Sequence, residues 1–221
     1  MQVAVIGGTG AEGFGLALRL ARAGHAVTIG SRDAARGAEA AERATATAGA
    51  AVRGDENAAA AAGASVVVVS VPFAGMVEIY RAIAPALQPG QVVLDCTSPL
   101  MSAVGGRAWE TIRPWQGSAA ELAASLVPDG VPVVAGLHTV AAHALQAIDE
   151  PLDSDTLLCA DDEDAKTKVG ELLEGIDGLR WVDAGPLANA RIVEPLTALL
   201  IAVNRRSKIK DAGFRITGLP V

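Results

Sequence analysis

Ser31, Arg32 and Arg36 put three phosphate-gripping side chains into six residues of the stretch VTIGSRDAARG, 27–37. A hydroxyl donates to one phosphate oxygen, and a guanidinium forks onto two. Upstream, in GGTGAEG at 7–13, Gly8, Gly10 and Gly13 fit G-x-G-x-x-G. That spacing serves a tight turn, close approach of the backbone to a pyrophosphate, and close helix–strand packing. The helix that follows would offer free N–H groups and a partial positive charge to the same phosphates. Ser31 comes 18 residues after Gly13. In a fold of this kind that is where the adenosine ribose sits, roughly 20 residues beyond the loop. An acidic residue there would hold both ribose hydroxyls and repel a 2′-phosphate. Ser31 instead donates, Arg32 forks onto the phosphate or stacks on adenine, Arg36 adds a cation, and Thr9 offers another hydroxyl. A surface arginine pair on an acidic protein is the competing reading, and position decides against it. The chemistry is NADP binding.

The surrounding pattern supplies the elements that would place these groups. QVAVI (2–6) is a continuous apolar run, as in a strand buried on both faces of a parallel sheet. A helix over 11–23 follows, ending at Gly24, then a strand AVTI (26–29) and an Ala-rich helix over 34–48 with Asp33 as its cap. AAV (50–52) is a third short strand, and SVVVVSV (65–71) a fourth, stopped by Pro72. A helix over 75–87, a strand in QPGQVVLD, strands at 131–136, 156–160 and 179–183, and helices over 163–175 and 187–206 complete the alternation. Strands separated by helices predict an α/β, doubly wound, mainly parallel Rossmann-type sheet. The division expected is a dinucleotide-binding domain, 1–185, and a C-terminal helical segment and tail, 186–221. Residues 97–118 carry no periodicity and read as a flap near the site.

Composition narrows the class. The chain has 221 residues, enough for one well-buried domain, with 51% hydrophobic and only 3% aromatic residues. No apolar run approaches the ~20 residues of a membrane span, and MQVAVIGG lacks the features of a signal peptide. A cytoplasmic protein is expected. A net charge of −7 argues against nucleic-acid binding, although Arg205, Arg206, Lys208, Lys210 and Arg215 crowd the C-terminus. That cluster is either a docking strip for an anionic partner or a solvated helix end. Cys96 and Cys159 sit in apolar runs and read as buried, inert thiols. DDED (161–164) directly precedes a helix, so capping explains it better than metal chelation. Gly7, Gly10 and Gly13 also fit the G-x-x-G-x-x-G of extended short-chain dehydrogenases. Those enzymes need a Tyr with a Lys four residues on; the only tyrosine is Tyr80, and residue 84 is Ala. No Ser–His–Asp set, metal spacing or paired carboxylate stands out.

Taken in order, GGTGAEGFGLALRLARAGHAVTIGSRDAAR, VVVVSVPF, GLHTVAA, CADDEDAK and IDGLRWVDAGPLANARIVEPLTALLIAVNRR resemble the F420-dependent NADP reductases over nearly the whole chain. The resemblance implies hydride transfer between NADP(H) and the 5-deazaflavin coenzyme F420, with F420 as co-substrate. Such a transfer needs two rings held so that the carbons lie ~3–3.5 Å apart, and no catalytic side chain. It implies that Thr9, Ser31, Arg32 and Arg36 hold the 2′-phosphate, and that Gly8, Gly10, Ala11 and Glu12, with Gly13, make the diphosphate loop. There the Glu12 side chain is expected to point to solvent. Ser70, Val71, Pro72 and Phe73 open toward the nicotinamide. His138 is a positioning residue without a proton-transfer role, Val140 and Ala142 hold the carboxamide through their backbone, and Ala212 and Gly213 reach the deazaflavin. His25 and His143 read as a surface turn residue and a packing residue. The last helix, with Asn189, Arg191 and Glu194 on one face and Leu196, Leu199, Leu200 and Val203 on the other, implies a homodimer. The alternatives are an NADP(H)-binding redox sensor without turnover, and a related NADPH-dependent flavin or imine reductase.

Overall fold

Apolar runs that do not alternate can be covered only if both faces of their sheet are buried. In the computed structural model, which describes residues 1–219, they are. Six parallel strands, β1 (Gln2–Ile6), β2 (Ala26–Ser31), β3 (Val52–Glu56), β4 (Val66–Val69), β5 (Val92–Asp95) and β6 (Val133–Ala135), stand in the order β3-β2-β1-β4-β5-β6. Val3 and Val5 face one core with Leu16, Leu18 and Leu20 of α1 (Ala11–Arg22). Ala4 and Ile6 face the other with Met76, Tyr80 and Ile83 of α4 (Phe73–Ile83). The chain order reverses between β1 and β4, and at such a switch point the C-terminal strand ends open a crevice.

Local chemistry sets the helix ends. Asp33 caps α2 (Ala34–Ala48), accepting from the Ala35 amide at 2.8 Å. Glu56 caps α3 (Asn57–Ala62), which has no counterpart in the expected pattern. The helix expected over 75–87 starts instead at Phe73, directly after Pro72, and gives way to a 3-10 turn at Ala84–Ala86, where Pro85 lacks a donor. Beyond α5 (Ala119–Ala124) and α6 (Ala142–Gln146), Asp162 caps α7 (Glu163–Glu174) and Asp161 accepts from the Leu187 amide. Buried Arg19 of α1 donates to the carbonyls of Ala144, Leu145, Ala147 and Glu150, fixing α6 and the loop that follows it to the first helix.

The strands expected near 156–160 and 179–183 leave the main sheet. β7 (Ser154–Leu158) and β8 (Leu179–Asp183) form a separate parallel pair, joined to β6 by an antiparallel bridge between Ala135 and Cys159. The segment after the last helix lies along this pair: the Asp155 amide donates to the Phe214 carbonyl at 2.6 Å. Buried Asp155 is the knot. It takes Arg180 at 2.9 and 2.7 Å, Arg215 at 2.9 Å and the Ile216 amide at 2.7 Å. These contacts hold its carboxyl down to about 2 against the cost of burial.

The C-terminal helical run is segmented into a 3-10 turn, α8 (Ala190–Val193) and α9 (Pro195–Ser207). Buried Glu194 between them accepts from the Ala119 and Ala120 amides at 2.9 Å and so caps α5, while Arg191 pairs with Glu121. Leu187–Ser207 reaches the length and mean apolarity of a membrane span by composition alone, although Arg191, Glu194, Arg205 and Arg206 interrupt the run. Ile192 and Leu199 are 70% and 57% exposed.

Candidate functional site

The glycine loop is held by close contacts that exclude side chains. Gly7 has φ +83°, and a Cβ there would lie 2.2 Å from the Ser70 carbonyl. A Cβ on Gly13 would meet the Gly7 carbonyl at 2.7 Å, and one on Gly8 would meet Ile29 at 2.9 Å. Gly8 and Gly13 therefore serve packing, while Gly10 lines the cleft and caps α1 with no side chain in the way. The first amides of α1, at Ala11 and Glu12, stand at the cleft floor as the positive end of a twelve-residue helix.

Beside the loop, Thr9, Ser31, Arg32 and Arg36 line one cavity of about 310 Å³ with Val71 and Ile79 as apolar walls. Ser31 sits at the end of β2, while Arg32 and Arg36 are exposed, so their head groups can swing onto a ligand. Asn57 also lines this cavity. It is 2% exposed and its Oδ1 has no hydrogen-bond partner. A buried carbonyl oxygen left unmatched is costly and marks a place for a donor.

Gly10, Ser70, Val71 and Pro72 pass from this cavity into a middle chamber of about 460 Å³, also lined by Phe73, Cys96, Ser98 and Ala103. Segment 97–118 thus supplies one wall, through a 3-10 turn at Met101–Val104. Its Trp109 stacks under Arg205 of α9 at 4.0 Å, tying the flap to the last helix. Glu12, Cys96, Ser98 and Thr197 then border a far chamber of about 280 Å³. His138, Val140 and Ala142 stand there opposite Leu200, Lys210 and Ala212. The three spaces form one cleft along the C-terminal ends of β2, β1, β4, β5 and β6. Gly213 lies outside it, against Ser154 and lining an adjoining hollow.

A short relay of hydroxyls fixes the far chamber. Thr197 donates to the His138 carbonyl at 2.8 Å, so the Ser98 hydroxyl must donate to Thr197, 2.7 Å away. Leu137 holds φ +68°, strained for a side chain of its size, with its amide donating to Thr156 at 2.7 Å. The strained step directs His138–Val140 toward the cleft. His138 is buried, both ring nitrogens lack partners, and burial pushes it down to about 4, so the ring is neutral at pH 7.

Two acids change the electrostatic picture. Buried Asp95 ends β5, accepting from Tyr80 at 2.6 Å and from Thr97, and burial pushes it up to about 6. Glu12 is partly exposed, and its carboxyl lies beside Ser70 at the cleft rather than out on the free surface; desolvation there, reinforced by the charge of Asp95, pushes it up to about 7. Cys96 and Cys159 are buried thiols, both raised by burial, as expected of inert ones, though Cys96 also lines the cleft. In the basic cluster, Arg215 binds Asp153 and Asp155 and Arg205 stacks on Trp109, so of the five cations only Lys210 lines the chambers described. His143, expected to pack, lies near the surface and meets Asp211 at 2.8 Å. Asn57, Ser98 and Thr197 have no sequence motif; only the position of Asn57 at the end of β3 could have marked it.

Residues 2–99 match the family described as coenzyme F420-dependent NADP oxidoreductase. The F420-dependent NADP reductase of Methanothermobacter thermautotrophicus is 44% identical over the whole of this chain and 96% of its own. That of Methanocaldococcus jannaschii is 37% identical, with full coverage of both. A crystal structure from Arthrobacter sp. FB24, provisionally described as an F420-dependent NADP reductase, superposes with a TM-score of 0.83 at 26% identity, covering 98% of this chain and 99% of that one. An imine reductase from Streptomyces aurantiacus, at 20% identity, a TM-score of 0.63 and coverage of 94% and 63%, shares the fold.

Proposed function

The chain belongs to the F420-dependent NADP reductase family, and from that premise we propose that its cleft holds NADP(H) and coenzyme F420 end to end. The enzyme is an oxidoreductase that passes a hydride between NADP(H) and F420. The observation that supports this placement is the continuous cleft: a cationic, hydroxyl-lined cavity at one end, a glycine-rich helix start in the middle, and a second open chamber beyond it. Both groups fit what is there. Thr9, Ser31, Arg32 and Arg36 bind the 2′-phosphate, and the amides of Gly10, Ala11 and Glu12 receive the diphosphate. Asn57 Oδ1 accepts from an adenosine hydroxyl or amine, answering its unmatched state.

The bound cofactors supply the reacting carbons and the hydride. The protein's own residues orient and exclude water. Ser70, Val71, Pro72 and Phe73 shape the nicotinamide end, Val140 and Ala142 present backbone groups, and neutral His138 positions without exchanging a proton. Ala212 closes the F420 side with Lys210 as its nearest cation, and Gly213 supports Ala212 from behind. Residues 1–185 form the NADP-binding domain and 186–221, of which 220 and 221 lie outside the described residues, the segment that completes the F420 chamber. The exposed Ile192, Leu199 and Val203 serve a homodimer seam rather than a lipid surface, since Arg191, Asn204, Arg205 and Arg206 interrupt the same helical run. The protein acts in the cytoplasm, with no nucleic-acid or membrane partner.

Mixing the protein with NADPH and F420 and following the deazaflavin's visible absorbance tests the reading. Turnover is expected; tight NADPH binding with no bleaching would leave a redox sensor instead. The Asn57 assignment carries its own expectation. A neutral hydrogen bond nets ~0.5–1.5 kcal/mol, so Asn57→Leu should raise the KM for NADPH about 2- to 12-fold with kcat little changed. An unaltered KM would remove Asn57 from the adenosine site.

A further inference from the structure

Glu12 stands where the middle and far chambers meet and lines both, its carboxyl beside Ser70. No other carboxylate lines either chamber among the described residues. An ionised carboxylate facing two polyanionic ligands would oppose their binding. Desolvation eases that conflict by raising the group to about 7, with Ser70 beside it on β4's end and Asp95 and Cys96 behind it on β5's. The other titratable groups of the far chamber are His138, His143 and Lys210. His138 stays neutral, and His143 is engaged by Asp211.

The reaction has a use for such a group. NADPH breaks a C–H bond and gives up a proton with two electrons, becoming NADP⁺. The deazaflavin carbon that receives this hydride leaves an extra negative charge on the ring system. A separate proton neutralises it, so the balance is NADPH + F420 + H⁺ → NADP⁺ + F420H2. In reverse, the proton must be taken away. We propose that the Glu12 carboxyl donates this proton when F420 is reduced and accepts it when F420H2 is oxidised. The proposal rests on the hydride-transfer reading above. It gives Glu12 a role the diphosphate loop does not require, since only the residue's amide serves there.

Glu12→Gln keeps the shape and removes the proton. In cofactor-free protein, infrared difference spectra should show a protonated-carboxyl C=O band that titrates near neutral pH and is missing from the variant. In single turnovers, F420 reduction should fall about 10²-fold in the variant, with NADPH affinity changed only a few-fold. The wild-type rate of F420 reduction should decline as pH rises past about 7, that of F420H2 oxidation should rise over the same range, and both trends should flatten in the variant. Glu12→Asp should restore part of the rate and the pH trend. If no band disappears, or if Glu12→Gln matches the wild type in rate and profile, the proposal is overturned while the function stands. If Asp95→Asn flattens the profile and Glu12→Gln does not, the donor is misassigned. Wild-type protein that binds NADPH but never reduces F420 overturns the hydride-transfer reading and this proposal with it.

Discussion

Arg32→Asp should raise the KM for NADPH by about two to three orders of magnitude and leave that for NADH within a few-fold. The residue lines the cavity at the end of β2 with Ser31 and Arg36. Losing charge-assisted hydrogen bonds there costs roughly 1.5–3 kcal/mol. The new carboxylate adds repulsion of the 2′-phosphate, screened in part because the site is exposed. The sum, about 3–4 kcal/mol, corresponds to that loss. Steady-state kinetics with both nucleotides at low and high salt measure it, and the gap should narrow as salt rises. Arg36→Ala, which removes one cation and adds none of the repulsion, should cost about tenfold. An NADP/NAD preference that survives Arg32→Asp would mean the 2′-phosphate binds elsewhere.

The second large effect is on stability. Asp155→Ala leaves Arg180 and Arg215 without their shared carboxylate and the Ile216 amide without its acceptor. Because Arg180 and Arg215 are partly solvated and keep other partners, the loss is that of charge-assisted hydrogen bonds, about 1.5–3 kcal/mol, a sizeable part of the ~5–15 kcal/mol that holds a domain together. Thermal unfolding should move down by several degrees. Hydrogen exchange should show residues 209–216 released from β7 and β8 before the rest of the fold opens. With the folded-state carboxyl held near 2, its contribution is intact above the ordinary carboxylate range and lost as pH falls through about 2. The wild type should therefore lose stability between pH 4 and 2 more steeply than Asp155→Ala. Parallel acid profiles would place the tail's anchor in other contacts.

How much of this was legible follows from distance along the chain. β1, the glycine loop, α1, β2 and the Asp33 cap are contiguous and governed by local rules, so their residues announce the cavity they build. α3 was not legible because ENAAAAA is too short and featureless for periodicity to register. β7 and β8 read correctly as strands, but nothing local says that they pair with each other rather than extend the main sheet. The far chamber was least legible. Thr197 acts on Ser98, 99 residues away, and on His138, 59 away, and no spacing rule encodes such meetings. The inward turn of Glu12 is a similar case. The loop motif specifies its amide, whereas its side chain answers to Asp95 and Ser70, which come from other strands.

The two ends of the cleft also differ in when they can exist. The phosphate cavity is assembled from residues between Gly7 and Ile79, whereas the second chamber waits for Thr197, Lys210 and Ala212. At about 5–20 residues per second of synthesis, well over a hundred residues, or roughly 6–24 s, separate the two. A nascent chain on the ribosome would thus be equipped to capture the nucleotide before it could admit the deazaflavin, and occupancy at that stage would steady the part of the protein already made.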